Sequence, residues 1–292
     1  MKIIKYFFEF ISIVSLFLIF KIIGLNYASY LGGIIGRGIG PLFRSKNIIQ
    51  SNIKNCFSKI EEQKESEIIN SMWSNFGRTF AEYVFLKDFK LNRTNLSHIK
   101  INGIDYLNEI KNKNESVIFY SGHFANFELM AMELNKFGIK CAAIYRPLNN
   151  FFLNPLMEYL RMKYICPTQI PKGRIGVREI IGRIKDGYSV ALMMDQRVSE
   201  GQKVPFFNKP AFTTTIPAQL ALKYNCKLVP IFLERKGSVE FEMTVYEPYK
   251  IEKSGNEEED TKNIIHKINQ IIEKMIIQNP TQWIWSHNRW KQ

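Results

Sequence analysis

Apolar and polar residues follow two different patterns along residues 116 to 278, one typical of strands and one typical of helices. Short apolar runs have the length and composition of buried strands: VIFYS, KCAAIY, YSVALMMD, CKLVPIFLE and SVEFEMTVYE. Between and after these runs, apolar residues recur every three or four positions, as expected for helices: FANFELMAMELNKFG, NPLMEYLRMKY, GVREIIGRIKDG, TTTIPAQLALKYN and EEEDTKNIIHKINQIIEKMIIQ. Strands that take turns with helices of this length predict an α/β fold with a mainly parallel sheet flanked by helices. Residues 47 to 89 are also predicted to be helical.

The N-terminal segment is predicted to be an uncleaved membrane anchor. Its uninterrupted core from Phe10 to Phe20 has only 11 residues, but the apolar stretch from Phe7 through Leu25 approaches the ~20 residues needed to cross a bilayer. A cleavable signal peptide is the alternative, but no small-residue cleavage motif closes the core. The Gly-rich segment up to residue 45 is either interfacial or a connecting helix. We therefore expect an anchor and interfacial segment at 1–45 and a single α/β domain at 46–292.

Charge and composition narrow the class of partner. The 292 residues include 40 Lys and Arg against 27 Asp and Glu, a formal charge of +13, which favours an acidic partner. That partner could be nucleic acid, an anionic membrane, a phosphorylated substrate or an acidic carrier protein. Twenty-two Phe residues favour a membrane, and the positive residues that follow the apolar core place the body on the cytoplasmic side: Arg37, Arg44, Lys46 and Lys54. The four Cys residues form no Cys-x-x-Cys pair, so free thiols are expected.

The stretch SVIFYSGHFANFELM contains the main candidate for chemistry. His123 follows a predicted strand, and Glu128 lies in the first turns of the helix predicted after it. A carboxylate hydrogen-bonded to one imidazole nitrogen fixes the tautomer, and the other nitrogen can then act as a general base. The alternative is an ordinary strand-to-helix turn. No second His lies near His123, so neither a metal nor another cofactor is predicted.

Several further motifs occur in a characteristic order. They are MWSNFGRTFAE, SGHFANFE, YRPLNN, PKGRIGVRE, MMDQR, VPFFNKPAFTTTIPAQLA and WIWSHNRW. In order and approximate spacing, they resemble the lipid A biosynthesis lauroyl/myristoyl acyltransferases, and the resemblance covers nearly the whole chain. The FFNKPAFTTT segment resembles the family's loop leading to a helix N-terminus, and within it Asn208 departs from the glycine that we expect at this position in the family.

The resemblance implies a glycerol-3-phosphate acyltransferase-like fold with a catalytic His-x4-Asp/Glu pair, which maps onto His123 and Glu128. It implies transfer of a fatty acyl chain from acyl carrier protein to a hydroxyl of a phosphorylated lipid A precursor at the inner membrane. Both partners are acidic, which suits a charge of +13. A direct transfer also fits the absence of a Gly-x-Ser-x-Gly motif from the sequence. No nucleic-acid partner is expected.

Four more residues are candidates for substrate binding. Arg146 and Arg174 could hold phosphate or carboxylate groups, because a guanidinium offers paired donors, although surface salt bridges are an alternative role. Asp195 and Gln196 follow another predicted strand and could support the same site or only form a turn. Two functional alternatives stay open. One is acyl transfer to a lysophospholipid or glycolipid, and the other is a non-catalytic membrane-anchored protein that binds anionic lipid or nucleic acid.

Overall fold

A computed structural model of the chain describes residues 2–91 and 98–291, without the side chain of Arg174. Its helices are α1 Lys2–Ile23, α2 Leu25–Phe43, α3 Lys46–Cys56, α4 Glu62–Glu82, α5 Leu86–Leu91, α6 Ile104–Lys113, α7 Glu128–Lys136, α8 Asn154–Leu160, α9 Arg174–Lys185, α10 Ile216–Tyr224 and α11 Glu257–Gln278. Its strands are β1 Ile99–Asn102, β2 Ile118–Ser121, β3 Cys141–Tyr145, β4 Thr168–Pro171, β5 Ser189–Met193, β6 Gln202–Phe206, β7 Lys209–Thr213, β8 Leu228–Arg235 and β9 Phe241–Val245.

Seven of these strands form one sheet in the order β1-β9-β8-β2-β5-β3-β4. Strands β8, β2, β5, β3 and β4 run parallel to one another, while β9 pairs antiparallel with β8 and parallel with β1. Successive residues of β2 face two separate apolar clusters, Phe119 on one side and Ile118 and Tyr120 on the other. A strand covered on both faces must be apolar at every position, which explains the continuous apolar runs. The predicted α/β fold with a mainly parallel sheet flanked by helices is confirmed.

Two segments differ from their predicted structure. Residues 202–213 form the antiparallel hairpin β6–β7, where the sequence resemblance indicates a loop leading to a helix. The helix predicted from Phe124 begins only at Glu128, because the chain turns sharply between β2 and α7. Ala125 has a φ of +46° in this turn, a backbone conformation that a helix cannot contain.

Glycines allow α2 to pack closely on α4. Gly32 and Gly36 of α2 face Gly77 of α4, and a methyl group built on Gly36 would lie 2.2 Å from the carbonyl oxygen of Trp73. That distance is well inside van der Waals contact, so only a residue without a side chain fits. Close packing of these two helices fixes the N-terminal segment against the body of the protein.

Helix α1 lies along the body and exposes one apolar face. Phe17 and Phe20 are buried, Phe17 packs against Phe80, and Lys21 forms an ion pair with Asp88 at 3.0 Å. The opposite face carries exposed apolar side chains: Ile3, Ile4, Phe7, Phe8, Ile11, Leu18, Ile19 and Ile22. Among the described helices, α1 alone is long and apolar enough to cross a membrane by length and composition.

Candidate active site

The carboxyl ends of β2 and β5 bring two side chains together. These neighbouring parallel strands pair Ser121 with Met193, and His123 and Asp195 each follow two residues later. Parallel α/β sheets commonly bind ligands at this edge. The pair therefore lies where a substrate can reach it.

His123 is bound twice by one carboxylate. Its Nδ1 lies 2.7 Å from Asp195 Oδ1, and its backbone N–H donates to Asp195 Oδ2 at 2.9 Å. Trp283 Nε1 donates to the same Oδ2 at 2.7 Å. With Nδ1–H donating to Asp195, the lone pair of His123 stays on Nε2, and the imidazole is 17% exposed. This nitrogen is the basic atom of the site.

Asp195 is held in its ionised form. Burial would raise the pKa of this carboxyl group, but the attraction of His123 and the hydrogen bonds from His123 and Trp283 lower it to about 2. The carboxylate can therefore orient the imidazole and stabilise its protonated form across the neutral pH range.

Glu128 has different partners from the one predicted. Its Oε1 accepts hydrogen bonds from Arg161 Nε at 3.1 Å, from Arg161 Nη2 at 2.6 Å and from the Tyr83 hydroxyl. Burial, reinforced by the charge of Glu128, raises the pKa of Tyr83 well above its usual value, so its hydroxyl stays protonated. The expected contact with His123 is instead made by Asp195. Phe127, which directly precedes Glu128, packs edge-on against the His123 ring, with ring centroids 4.7 Å apart.

His287 is a neighbour of the site that the sequence did not single out. Its Nε2 accepts a hydrogen bond from the Arg197 backbone N–H at 2.9 Å. Burial lowers the pKa of His287 to about 4, against the opposing attraction of Asp195. It is therefore neutral at pH 7 and supports the loop that follows Asp195.

Comparisons with known proteins identify the family. The family described as bacterial lipid A biosynthesis acyltransferase matches residues 1–292. The chain belongs to this family. It is 26% identical over 282 residues to a lipid A biosynthesis acyltransferase of Haemophilus influenzae, covering 88% of this chain and 83% of that protein. It is 25% identical to the lipid A biosynthesis palmitoleoyltransferase of Escherichia coli over 90% of this chain and 84% of the relative.

A lauroyltransferase of lipid A biosynthesis from Escherichia coli is 24% identical, over 88% of this chain and 84% of the relative. The resemblance seen in the sequence is thus confirmed. Membership of the lipid A acyltransferase family supports acyl transfer in lipid A synthesis as the activity of this chain.

The four residues predicted to bind substrate occupy different surroundings in the structure. Asp195 is part of the His123 pair, and the Gln196 side-chain nitrogen lies 3.5 Å from His123 Nε2. Arg146 follows β3 at the same sheet edge and is exposed, without a described contact to His123. Arg174 begins α9, but its side chain lies outside the described part of the structure. A role for Arg146 or Arg174 stays a prediction.

Sequence reasoning did not identify Trp283, Tyr83 or Arg161 as members of the site. Trp283 belongs to the motif WIWSHNRW, and the sequence alone is compatible with two roles for its tryptophans, an aromatic belt at the membrane interface or a place in the core. It is 1% exposed, so it closes the core and binds Asp195. Tyr83 and Arg161 reach Glu128 only through tertiary packing, and neither lies in a motif that could have marked it.

Proposed function

We propose that the protein transfers a fatty acyl chain from acyl carrier protein to a hydroxyl of a phosphorylated lipid A precursor. The observation that carries this proposal is the His123–Asp195 pair at the ligand-binding edge of the sheet, in a chain of the lipid A acyltransferase family. An imidazole with one nitrogen fixed by a carboxylate is suited to remove a hydroxyl proton. The site then needs neither a metal nor another cofactor for this step.

His123 acts as the general base in this reaction. Its Nε2 takes the proton of the acceptor hydroxyl while the hydroxyl oxygen attacks the carbonyl carbon of the thioester. The tetrahedral intermediate collapses, the carbon–sulfur bond breaks, and the imidazolium returns the proton to the leaving thiolate. Asp195 stabilises the imidazolium between the two steps through the 2.7 Å contact with Nδ1.

Glu128 contributes by holding Arg161. Their ion pair is almost fully buried, since the side chain of Glu128 is 10% exposed and that of Arg161 is 12% exposed. Arg161 Nη2 also donates to the Tyr83 hydroxyl at 2.9 Å. Arg161 Nη1 is buried and has no hydrogen-bond partner among the described residues. A buried donor without a partner is costly, and a substrate oxygen would satisfy it. We therefore propose that Glu128 positions Arg161 to bind a substrate oxygen, in place of orienting His123 directly.

Helix α1 attaches the body to the cytoplasmic side of the inner membrane in our proposal. Its 22 residues are about 33 Å long, comparable with a ~30 Å hydrocarbon core, but a helix that the body holds near both ends lies in the membrane surface and does not cross it. The body contacts it near both ends, through Asn150 bound to the Tyr6 carbonyl at 2.9 Å and through Lys21 bound to Asp88. We infer that α1 stays packed on the body and that lipid covers its opposite, apolar face. The formal charge of +13 suits both an anionic membrane and an acidic carrier protein.

The test is acyl transfer by the detergent-purified full chain, with labelled acyl carrier protein as donor. Wild type is compared with His123→Ala, Asp195→Ala and Glu128→Gln, using a lipid A precursor, a lysophospholipid and a glycolipid as acceptors. His266→Ala is the control, because this histidine lies on α11 and contacts Gln270. Transfer to the precursor that is lost in the His123 and Asp195 variants and kept in the His266 variant would support the proposal.

Other outcomes separate the alternatives. Transfer to the lysophospholipid or glycolipid alone would keep the chemistry and change the acceptor. Equal transfer in wild type and folded His123→Ala would exclude His123 as the base. If the protein transfers no acyl chain to any acceptor, and its binding to anionic lipid or nucleic acid weakens steeply as the salt concentration rises, the non-catalytic alternative would be favoured.

A further inference from the structure

A polar cleft of about 270 Å³ lies behind the His123 loop, between α2, α4, the end of β8 and the segment before Trp283. Three arginines line it, Arg37 from α2, Arg78 from α4 and Arg235 from β8. The remaining lining residues are uncharged hydrogen-bonding side chains: Asn70, Ser71, Ser74, Asn75, Thr281 and Gln282. A cleft with this lining can bind an anion.

Only one of the three guanidinium groups is neutralised. Arg235 is paired with the fully buried Glu82, with Nη1 to Oε1 at 2.6 Å and Nη2 to Oε2 at 3.1 Å. Arg37 donates to Ser74 Oγ at 3.2 Å, and Arg78 donates to Ser29 Oγ and the Ser238 carbonyl, both at 3.4 Å.

Within residues 2–91 and 98–291, no carboxylate forms a salt bridge with Arg37 or Arg78. Burial and the charge of Arg235 lower the pKa of Arg78, as expected where cations are crowded together. The cleft therefore carries an excess of two positive charges.

We propose that this cleft binds the phosphate monoester of a membrane lipid, which in the proposed function is the acceptor. A phosphate monoester carries a charge of about −1.5 to −2 at pH 7 and three acceptor oxygens, which match the two guanidinium groups that have no carboxylate partner and the neighbouring hydroxyls. A phosphodiester carries a single charge and leaves one arginine uncompensated. This proposal rests on the proposed function only for the identity of the lipid.

The surroundings of Arg37 favour a lipid as the source of the phosphate. Tyr30 and Ile34 precede Arg37 by seven and three residues, so the three side chains lie along one stripe of α2. Both Tyr30 and Ile34 are exposed, and α2 directly follows the apolar helix α1. A headgroup at a bilayer surface beside α1 and α2 could therefore enter the cleft while its chains remain in lipid.

The cleft is also connected to the catalytic loop. Asn75 accepts from Arg235 Nε at 3.1 Å and donates to the Ala125 carbonyl at 3.0 Å. The Ala125 N–H in turn donates to the Gln282 carbonyl at 3.2 Å. Ala125 lies two residues after His123, so a phosphate held here would bind to the same hydrogen-bond network that holds the His123 loop.

The experiment measures binding of fluorescent phosphatidic acid, a lipid phosphate monoester, to the full chain in dodecyl maltoside micelles. Every protein carries His123→Ala, so that turnover does not interfere and the result is independent of catalysis. Arg37→Gln and Arg78→Gln should each weaken binding about tenfold or more, as expected for the loss of one charge-assisted hydrogen bond. Arg178→Gln removes the same charge from the exposed surface of α9 and should leave binding unchanged.

Ser71→Asp provides a second variant in case an arginine variant fails to fold. It adds a negative charge at the cleft without removing any arginine contact, and it should also weaken binding. Equal affinity in the His123→Ala parent and in the parent carrying Arg37→Gln, Arg78→Gln or Ser71→Asp would overturn the proposal. Direct binding of inorganic phosphate without binding of phosphatidic acid would identify free phosphate as the ligand and overturn the lipid source. Equally tight, variant-sensitive binding of phosphatidylglycerol would overturn the preference for a monoester.

Discussion

His123 and Asp195 are joined by the register of two strands. Each lies two residues beyond a position in the Ser121–Met193 pair, and the imidazole Nδ1 is 2.7 Å from the carboxylate. Neighbouring parallel strands therefore carry His123 and Asp195 to the same edge of the sheet. The pair is built by sheet geometry, although 72 residues separate its members in sequence.

Replacing Asp195 with Asn should sharply reduce activity while the protein remains folded. The new side chain would present an amide of similar shape but, lacking a negative charge, could not stabilise the imidazolium. We expect kcat to fall by about 10²- to 10⁴-fold, the usual range for loss of general acid–base catalysis. Steady-state acyl transfer and circular dichroism of the purified variant provide the check. Activity within a factor of two of wild type would show that Asp195 does not support the base.

The position of His123 at a strand end could be predicted because an apolar run followed by Ser-Gly marks where β2 ends. Its hydrogen-bond partner could not be predicted, because the spacing of His123 and Glu128 carries information only about the local chain and not about which distant residue lies nearby. Pairing with Asp195 depends on β2 and β5 being neighbours in register, which no local pattern encodes. The site thus follows from tertiary structure more than from the motif itself.

The structure around Glu128 shows the same limit. Arg161 begins a π-helical turn, Arg161–Ile165, at the end of α8. The spacing of apolar residues in the sequence predicts an ordinary α-helix through this segment. A buried carboxylate needs a compensating charge, but the sequence does not reveal which of many arginines supplies it. By contrast, the alternation of strands and helices is local and strong, so the fold class could be predicted.

Replacing Glu128 with Gln should destabilise the protein, because Arg161 would be left charged and buried. Breaking one side of a buried ion pair typically costs about 3–5 kcal/mol. The double variant Glu128→Gln/Arg161→Met should recover part of this loss, since no unpaired charge remains. Thermal unfolding of both variants in detergent tests this expectation. A double variant less stable than Glu128→Gln alone would contradict it.

Replacing Gly36 with Ala should destabilise the contact between α2 and α4. The added methyl group would lie 2.2 Å from the Trp73 carbonyl oxygen, so the helices must separate. Overpacking of this kind typically costs about 1–3 kcal/mol. Gly38→Ala is the matched control, since a methyl group there meets no atom within 4 Å and only improves helix propensity. Equal denaturation midpoints for the two variants would mean that α2 does not pack as described.

Stability should fall as the pH decreases from 6.5 to 4 because of His287. Burial lowers the pKa of His287 to about 4 in the folded protein, whereas an unfolded histidine titrates near 6.5. Between these values the unfolded state binds more protons, so the stabilisation is complete above 6.5 and is lost on acidification.

Because His287 is partly exposed, we expect a loss of roughly 1–3 kcal/mol across this range. Asp195 contributes in a separate range, since its lowered pKa of about 2 affects stability only below about 3.8. Denaturant unfolding at a series of pH values should show a smaller decrease between 6.5 and 4 for His287→Gln than for wild type. Parallel curves for the two proteins would rule out His287 as the source.

Lysines on the exposed face of α1 should release the protein from membranes. Phe8 and Ile11 are 64% and 45% exposed on the face opposite the body, and moving each side chain from water into lipid contributes about 1.5–3 kcal/mol. Phe8→Lys/Ile11→Lys should therefore lower the affinity for liposomes of phosphatidylethanolamine and phosphatidylglycerol by a hundredfold or more. This figure follows because each tenfold change in affinity corresponds to about 1.4 kcal/mol. Ile175→Lys, on α9 and 80% exposed, adds one positive charge outside α1 and should leave binding unchanged. Co-sedimentation in the absence of detergent measures the effect, and undiminished binding of the double variant would mean that this face does not contact lipid.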